Sequence, residues 1–293
     1  MKLVPALATA LFAVLAAAAP ARAAEQPIAV VAAENFYGDL AKQIGGDHVA
    51  VVSIMSNPDQ DPHLFETTPG TVREITGAKI VIFSGADYDP WMPKILKTAP
   101  QPGRVVIDVA MLVGKKAGDN PHLWYDPPTM PAAAKALADA FSKADPAHKD
   151  DYDARLKTFD ASMKPINDKI AAIRAKYAGA PVTASEPVFG YMAAALGMKM
   201  HNEKFQLAIM NNTEPSARDV AAFENDLKHH KVRVMFFNKQ ASDKAVERLV
   251  NIARKSKIPV VGVTETEPPG MNYQDWMLSQ LNDTEKALAG PSS

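Results

Sequence analysis

Pro146 to Ala178 reads PAHKDDYDARLKTFDASMKPINDKIAAIRAKYA. Along it Tyr152, Leu156, Phe159, Met163, Ile166, Ile170, Ile173 and Tyr177 recur at alternating steps of four and three. That spacing predicts one apolar stripe on a long helix. Unbroken, the helix would span about 45–50 Å at 1.5 Å per residue, longer than a small domain is wide. Pro165 lies off the stripe, where its ring can bend the axis. A helical hairpin or a coiled coil would carry the same stripe. The reading as a connecting helix rests on what flanks it, because strands and helices alternate on both sides.

Upstream, strands are expected at Ile28–Ala32, Val49–Met55, Lys79–Phe83 and Arg104–Val109. Helices are expected at Phe36–Ile44, closed by Gly45-Gly46, at Pro69–Thr76 behind the capping residue Thr68, at Pro90–Thr98 and at Pro131–Ser142. Downstream, strands are expected at Pro181–Ala184, Phe205–Ile209, Val232–Phe236 and Pro259–Val263. The helices there are Pro187–Leu196, Pro215–His229, Asp243–Lys255 and Tyr273–Ala289. Such alternation means α/β lobes with parallel sheets and helices on both faces. The expected division is 1–23 signal peptide, 24–145 N-terminal lobe, 146–178 linking helix and 179–293 C-terminal lobe.

The first 23 residues read as a cleaved secretory signal. Lys2 gives a short basic start, Leu3 to Ala19 is apolar, and Ala21-Arg22-Ala23 is a small-x-small cleavage site. Loss of Lys2 and Arg22 moves the formal charge from −1 to −3. That balance gives no sign of nucleic-acid or anionic-membrane binding. No later stretch is apolar enough to cross a bilayer. There are no cysteines. The expectation is a free periplasmic protein, not a lipoprotein, in which any metal is held by imidazole and oxygen.

Two of the seven histidines sit in matching frames: Asp61-Pro62-His63-Leu64-Phe65-Glu66 and Asn120-Pro121-His122-Leu123-Trp124-Tyr125-Asp126-Pro127. Each proline stiffens its loop and keeps the preceding residue extended. A lone loop histidine is usually only solvated, but two in one frame, each after a strand, suggest a metal site. In parallel sheets ligands bind beyond the carboxyl ends of the strands. The same rule picks out Glu186, between Pro181–Ala184 and Pro187, and Glu265 after Pro259–Val263. Glu186 also suits a helix N-terminus, and Glu265 and Glu267 also read as ordinary surface charges. His229-His230 reads as a solvated helix end. His48, His148 and His201 have no supporting context, and Trp124, Tyr125 and Trp276 read as packing residues.

These loops, the long helix and the Ser185-Glu186 turn resemble the zinc and manganese solute receptors of ABC transporters, over essentially the whole mature chain. The resemblance implies two Rossmann-like lobes, a rigid linking helix, one metal between the lobes, and an inner-membrane permease with its ATPase as partner. The chain is expected to be a monomer. His63 and His122 match the two histidines of the N-terminal lobe. Glu186 matches the third ligand, histidine in many zinc receptors and glutamate in manganese receptors. The fourth is usually aspartate; Glu265 stands at the matching place, with Glu267 as the alternative. The His-rich loop of many zinc receptors is replaced by the short, histidine-free Lys115–Asp119.

Two imidazoles and two carboxylates suit a borderline or moderately hard dication, and the oxygen-rich set leans to Mn²⁺ over Zn²⁺. Four protein ligands leave no place for a substrate, so the expected action is capture, weakening as pH falls through roughly 6.5. The competing class is a periplasmic metallohydrolase with Glu267 or Asp126 as its base. A receptor for an organic solute would want a larger apolar pocket.

Overall fold

Seven residues, Ile28–Glu34, all but Ala29 buried or half-buried, begin the fold as β1 in a computed structural model that describes residues 26–59, 62–241 and 244–290. The expected signal peptide and the side chain of His63 lie outside the described residues. The chain continues as α1 (Asn35–Gly45), β2 (Val49–Met55), α2 (Pro69–Gly77), β3 (Ile80–Phe83), α3 (Trp91–Thr98) and β4 (Val105–Asp108). A short α4 (Val109–Leu112) follows, then α5 (Thr129–Ala144). All four strands are parallel, in the order β2-β1-β3-β4. Thr68 caps α2, exchanging hydrogen bonds with Thr71. Helix α1 packs so closely on β2 that a Cβ on Gly38 would lie 2.0 Å from Ser53 Oγ.

The linking segment is two helices end to end, α6 (Lys149–Ser162) and α7 (Lys164–Tyr177). They meet at Met163, whose own dihedrals remain helical. Pro165 has no N–H to bond the carbonyl of Ala161, which accounts for an interruption just before it. The stripe is real: Tyr152, Phe159, Met163, Ile166 and Ile173 are all buried.

The second lobe repeats the first in outline. It runs β5 (Pro181–Ala184), α8 (Gly190–Ala195), β6 (Lys199–His201), α9 (Glu203–Met210), α10 (Ala217–Lys228), β7 (Val234–Asn238), α11 (Lys244–Lys255), β8 (Val260–Val263) and α12 (Tyr273–Ala289). Its parallel order is β6-β5-β7-β8, the same pattern as the first sheet. One expectation fails here. Phe205–Ile209 is not a strand but the body of α9, with Phe205 and Ile209 buried on one face at i, i+4 spacing. The strand in that place is the three-residue β6. Pro215 falls outside α10, which is capped by the Ser216 side chain.

One apolar cluster runs through both lobes and the linking helices, from Val30 and Ile82 through Phe159 and Ile173 to Phe236 and Trp276. Its centre is aromatic: Phe36, Trp124, Tyr125, Phe189 and Trp276 meet in a chain of tilted and edge-on ring contacts. Trp124, Tyr125 and Trp276 are therefore core residues. Among the described residues, no helix is long and apolar enough to cross a membrane.

Candidate metal centre

The carboxyl ends of the two sheets face each other, and the predicted residues meet there. His122 lies beyond β4 and the short α4, on a loop that ends in the tight turn Leu123–Tyr125. Asn120 sets it: its Oδ1 accepts from the His122 backbone N–H at 3.1 Å and lies 2.7 Å from His122 Nδ1. An amide oxygen only accepts, so Nδ1 carries a hydrogen, and Nε2 is the ring nitrogen turned toward the carboxylates. Asn120 Nδ2 in turn donates to Pro187 O at 2.8 Å, across the lobes and directly beside Glu186.

Glu186 stands two residues beyond β5 in an extended conformation set by Pro187, and is 4% exposed. Glu265 stands two residues beyond β8 and is fully buried. His122 Nε2 lies 3.3 Å from Glu265 Oε2. Tyr88 OH donates to that same oxygen at 2.9 Å. Burial, and then the charge of Glu265, pushes the Tyr88 phenol well above its ordinary range, so it stays a donor.

Asn238, the last residue of β7, joins the two carboxylates. Its Nδ2 donates to Glu186 Oε2 at 2.6 Å and to Glu265 Oε1 at 2.5 Å. Its Oδ1 accepts from Gln240 N at 3.0 Å, which fixes the amide orientation. Gln240 Oε1 then accepts from the backbone N–H groups of Glu265 and Thr266 at 2.6 and 3.1 Å. Two buried carboxylates gathered on one nitrogen beside an imidazole form an oxygen-rich nest that suits a dication.

Of the four residues expected from sequence, the structure brings together His122, Glu186 and Glu265. The backbone of His63 is in the short turn Pro62–Leu64, but its side chain lies outside the described residues. Glu267 is not in this cluster. Its backbone N–H and C=O bond Asn35, and burial together with the nearby Asp39 charge pushes its carboxyl up to about 8. Tyr88, Asn120, Asn238 and Gln240 were missed. Asn238 was findable, because it sits at a strand's carboxyl end, where the other ligands were sought.

Behind the site, Glu34 at the end of β1 and Asp89 are both buried. Burial and the Asp89 charge raise Glu34 well above its usual range, and burial brings Asp89 to about 6. Asp89 accepts from the Ser84 and Gly85 backbone N–H groups at 2.7 and 3.0 Å. Burial raises both carboxyls, and the hydrogen bond between them raises Glu34 and lowers Asp89, so Glu34 is the one that keeps its proton.

Residues 30–287 match the family model of the zinc-uptake complex component A, periplasmic, ZnuA. The chain belongs to this family. It is a family of transport receptors, not enzymes, and the metallohydrolase reading falls with that assignment. The manganese-binding lipoprotein MntA of Bacillus subtilis (strain 168) is 27% identical over 286 residues, covering 91% of this chain and 92% of its own. The manganese ABC transporter substrate-binding lipoprotein PsaA of Streptococcus mitis is 26% identical over 287 residues, covering 91% of each. The periplasmic zinc binding protein TroA from Treponema pallidum shares the fold with a TM-score of 0.77 at 18% identity, over 90% of this chain and 99% of its own.

The expectation of a protein that is not a lipoprotein is corrected by these relatives. MntA and PsaA are both named lipoproteins, which conflicts with it. An extracytoplasmic location fits. The expectation rested on missing cysteine alone, and one absent residue type does not settle how a receptor of this family stays near its membrane.

Proposed function

We propose that the chain captures one divalent transition metal outside the cytoplasm and delivers it to an ABC permease with its ATPase. The observation that carries this reading is the convergence of His122 with Glu186 and Glu265, from opposite lobes, in a buried cluster organised by Asn238. His63, His122, Glu186 and Glu265 are the proposed ligands, with the chain acting as a monomer. The working units are 24–145, 146–178 and 179–293, with 1–23 as the signal.

Mn²⁺ is the proposed cargo. Two carboxylates offer up to four oxygens and allow coordination above four, and manganese is named for the MntA and PsaA relatives. The common core and the near-continuous helix favour release by loop rearrangement in the C-terminal lobe over a wide hinge opening. The test is calorimetry of metal binding to chelator-treated protein. His122→Ala should weaken Mn²⁺ binding by about tenfold or more while circular dichroism stays unchanged. Unchanged affinity would sink the site. Elemental analysis of protein drawn from its native compartment decides the cargo, and zinc alone would overturn manganese.

A further inference from the structure

Two histidines with no context in the sequence meet in the fold. His48 ends the turn Gly46–His48 just before β2, and His148 ends the turn Pro146–His148 just before α6. Their rings stack with centroids 3.9 Å apart. The pair lies at the amino ends of the N-terminal strands, opposite the metal centre and roughly 23 Å from it along the seven residues of β2.

Each ring is held by a carboxylate. His148 Nδ1 lies 2.7 Å from Asp145 Oδ2, and His48 Nε2 lies 3.0 Å from Asp151 Oδ2. Carboxylates only accept here, so each of these nitrogens carries the hydrogen, and Zn²⁺ would bind by displacing the one between His148 Nδ1 and Asp145. A carboxylate behind the ring, as Asp151 is behind His48, is the usual arrangement at metal-ligating histidines. Asp145 supplies the third group. Its Oδ2 also accepts from Tyr152 OH at 2.8 Å, while its Oδ1 is buried and makes no hydrogen bond among the described residues. Burial alone would raise the Asp145 carboxyl, but hydrogen bonds from Tyr152 and His148 outweigh it and hold the group ionised below its usual range.

We propose that His48, Asp145 and His148 form a second divalent-cation site, suited to Zn²⁺ with water completing the sphere. One ligand atom from each residue already lies within 4.8 Å of those of the other two. Tetrahedral Zn²⁺ needs its ligand atoms roughly 3.3 Å apart, so the three side chains must draw together on the ion. The residues are partly exposed, with side-chain exposures of 24% for His48, 30% for His148 and 12% for Asp145, so the ion has a path in. Thiolates and a dense carboxylate cage are both absent from the cluster, which favours Zn²⁺ over Ca²⁺ or Mg²⁺. Bound there, the ion ties the turn before β2 to the root of the linking helix, closing a loop of nearly a hundred residues.

The site does not depend on the transport reading, and one experiment separates the two. Chelator-treated full-length protein without an affinity tag is titrated with Zn²⁺ by calorimetry, in wild type, His122→Ala/Glu265→Ala and His48→Ala/His148→Ala. The second variant should lose the tighter class of binding and keep a weaker zinc equivalent; the third should lose that weaker equivalent and keep the tight one. Zn²⁺ should also raise the melting temperature of His122→Ala/Glu265→Ala, and the added substitutions His48→Gln and His148→Gln, which retain hydrogen bonding, should abolish the rise. Equal zinc stoichiometry in wild type and the His48→Ala/His148→Ala variant would overturn the proposal. So would the absence of any zinc-dependent stabilisation in His122→Ala/Glu265→Ala.

Discussion

Asn35 and Glu267 exchange two hydrogen bonds across the lobes: Asn35 Nδ2 donates to Glu267 O at 2.7 Å, and Glu267 N donates to Asn35 Oδ1 at 3.0 Å. The loop that carries Glu265 is thus pinned to the first turn of α1 in the other lobe. Tyr125 OH adds a second tie, to Thr264 O at 2.8 Å. If release proceeds by moving this loop, Asn35→Ala should quicken it. The expected effect is about a tenfold faster loss of metal to excess chelator in stopped flow, with the melting temperature little changed. An unchanged off-rate would mean that the cargo leaves another way.

The two candidate glutamates should behave differently. Glu265 faces His122, whereas the Glu267 backbone is turned to Asn35 and its carboxyl lies near Asp39. Glu265→Ala should lower metal affinity by about tenfold or more, and Glu267→Ala by far less. The reverse order in calorimetry would move the fourth ligand to Glu267.

Asn238 should matter without touching metal. Its amide holds Glu186 and Glu265 together, and removing it leaves two buried carboxylates to repel each other. Asn238→Ala is expected to cost about 10- to 100-fold in affinity, as loss of a group that orients ligands does elsewhere. Asn238→Gln, with the same amide one methylene too far, should not restore binding. Full affinity in Asn238→Ala would show that the carboxylates need no such clamp.

The Glu34–Asp89 pair makes a pH prediction with a definite sign. Both carboxyls are raised in the fold, Asp89 to about 6. A raised acid stabilises the fold at pH values below its unfolded pKa, about 4, and that contribution is lost as pH climbs through the folded value. Metal-free protein should therefore lose part of its stability to urea between about pH 4.5 and 7. Glu34→Gln leaves one carboxylate with the Ser84 and Gly85 N–H groups, and should flatten the slope across that window. An identical slope in the variant would remove the pair as its source.

Much of this was legible in the chain. Val49–Met55 and Tyr273–Ala289 have the bounds that sequence predicts, because apolar patterning and flanking turns agree there. Phe205–Ile209 was misread because a short apolar run with no clear period suits either a strand or a buried helix. The adjacent β6 has only three residues, too few to show alternation. Within the site, charge and proline context marked His122, Glu186 and Glu265. Asn238, Tyr88 and Gln240 carry no charge to draw the eye, and their roles exist only once strands from distant parts of the chain are side by side. His48 and His148 were passed over for the same reason.

The aromatic wall between the lobes has one more consequence. Phe36, Trp124 and Tyr125 belong to the first half of the chain and Phe189 and Trp276 to the second, and rings meet across the halves, Phe36 on Trp276 and Tyr125 on both Phe189 and Trp276. Two sheets of equal strand order suggest interchangeable modules, but a cut at Met163 would leave both fragments with a bare aromatic surface. The two lobes share one core, so neither is expected to be stable when expressed alone.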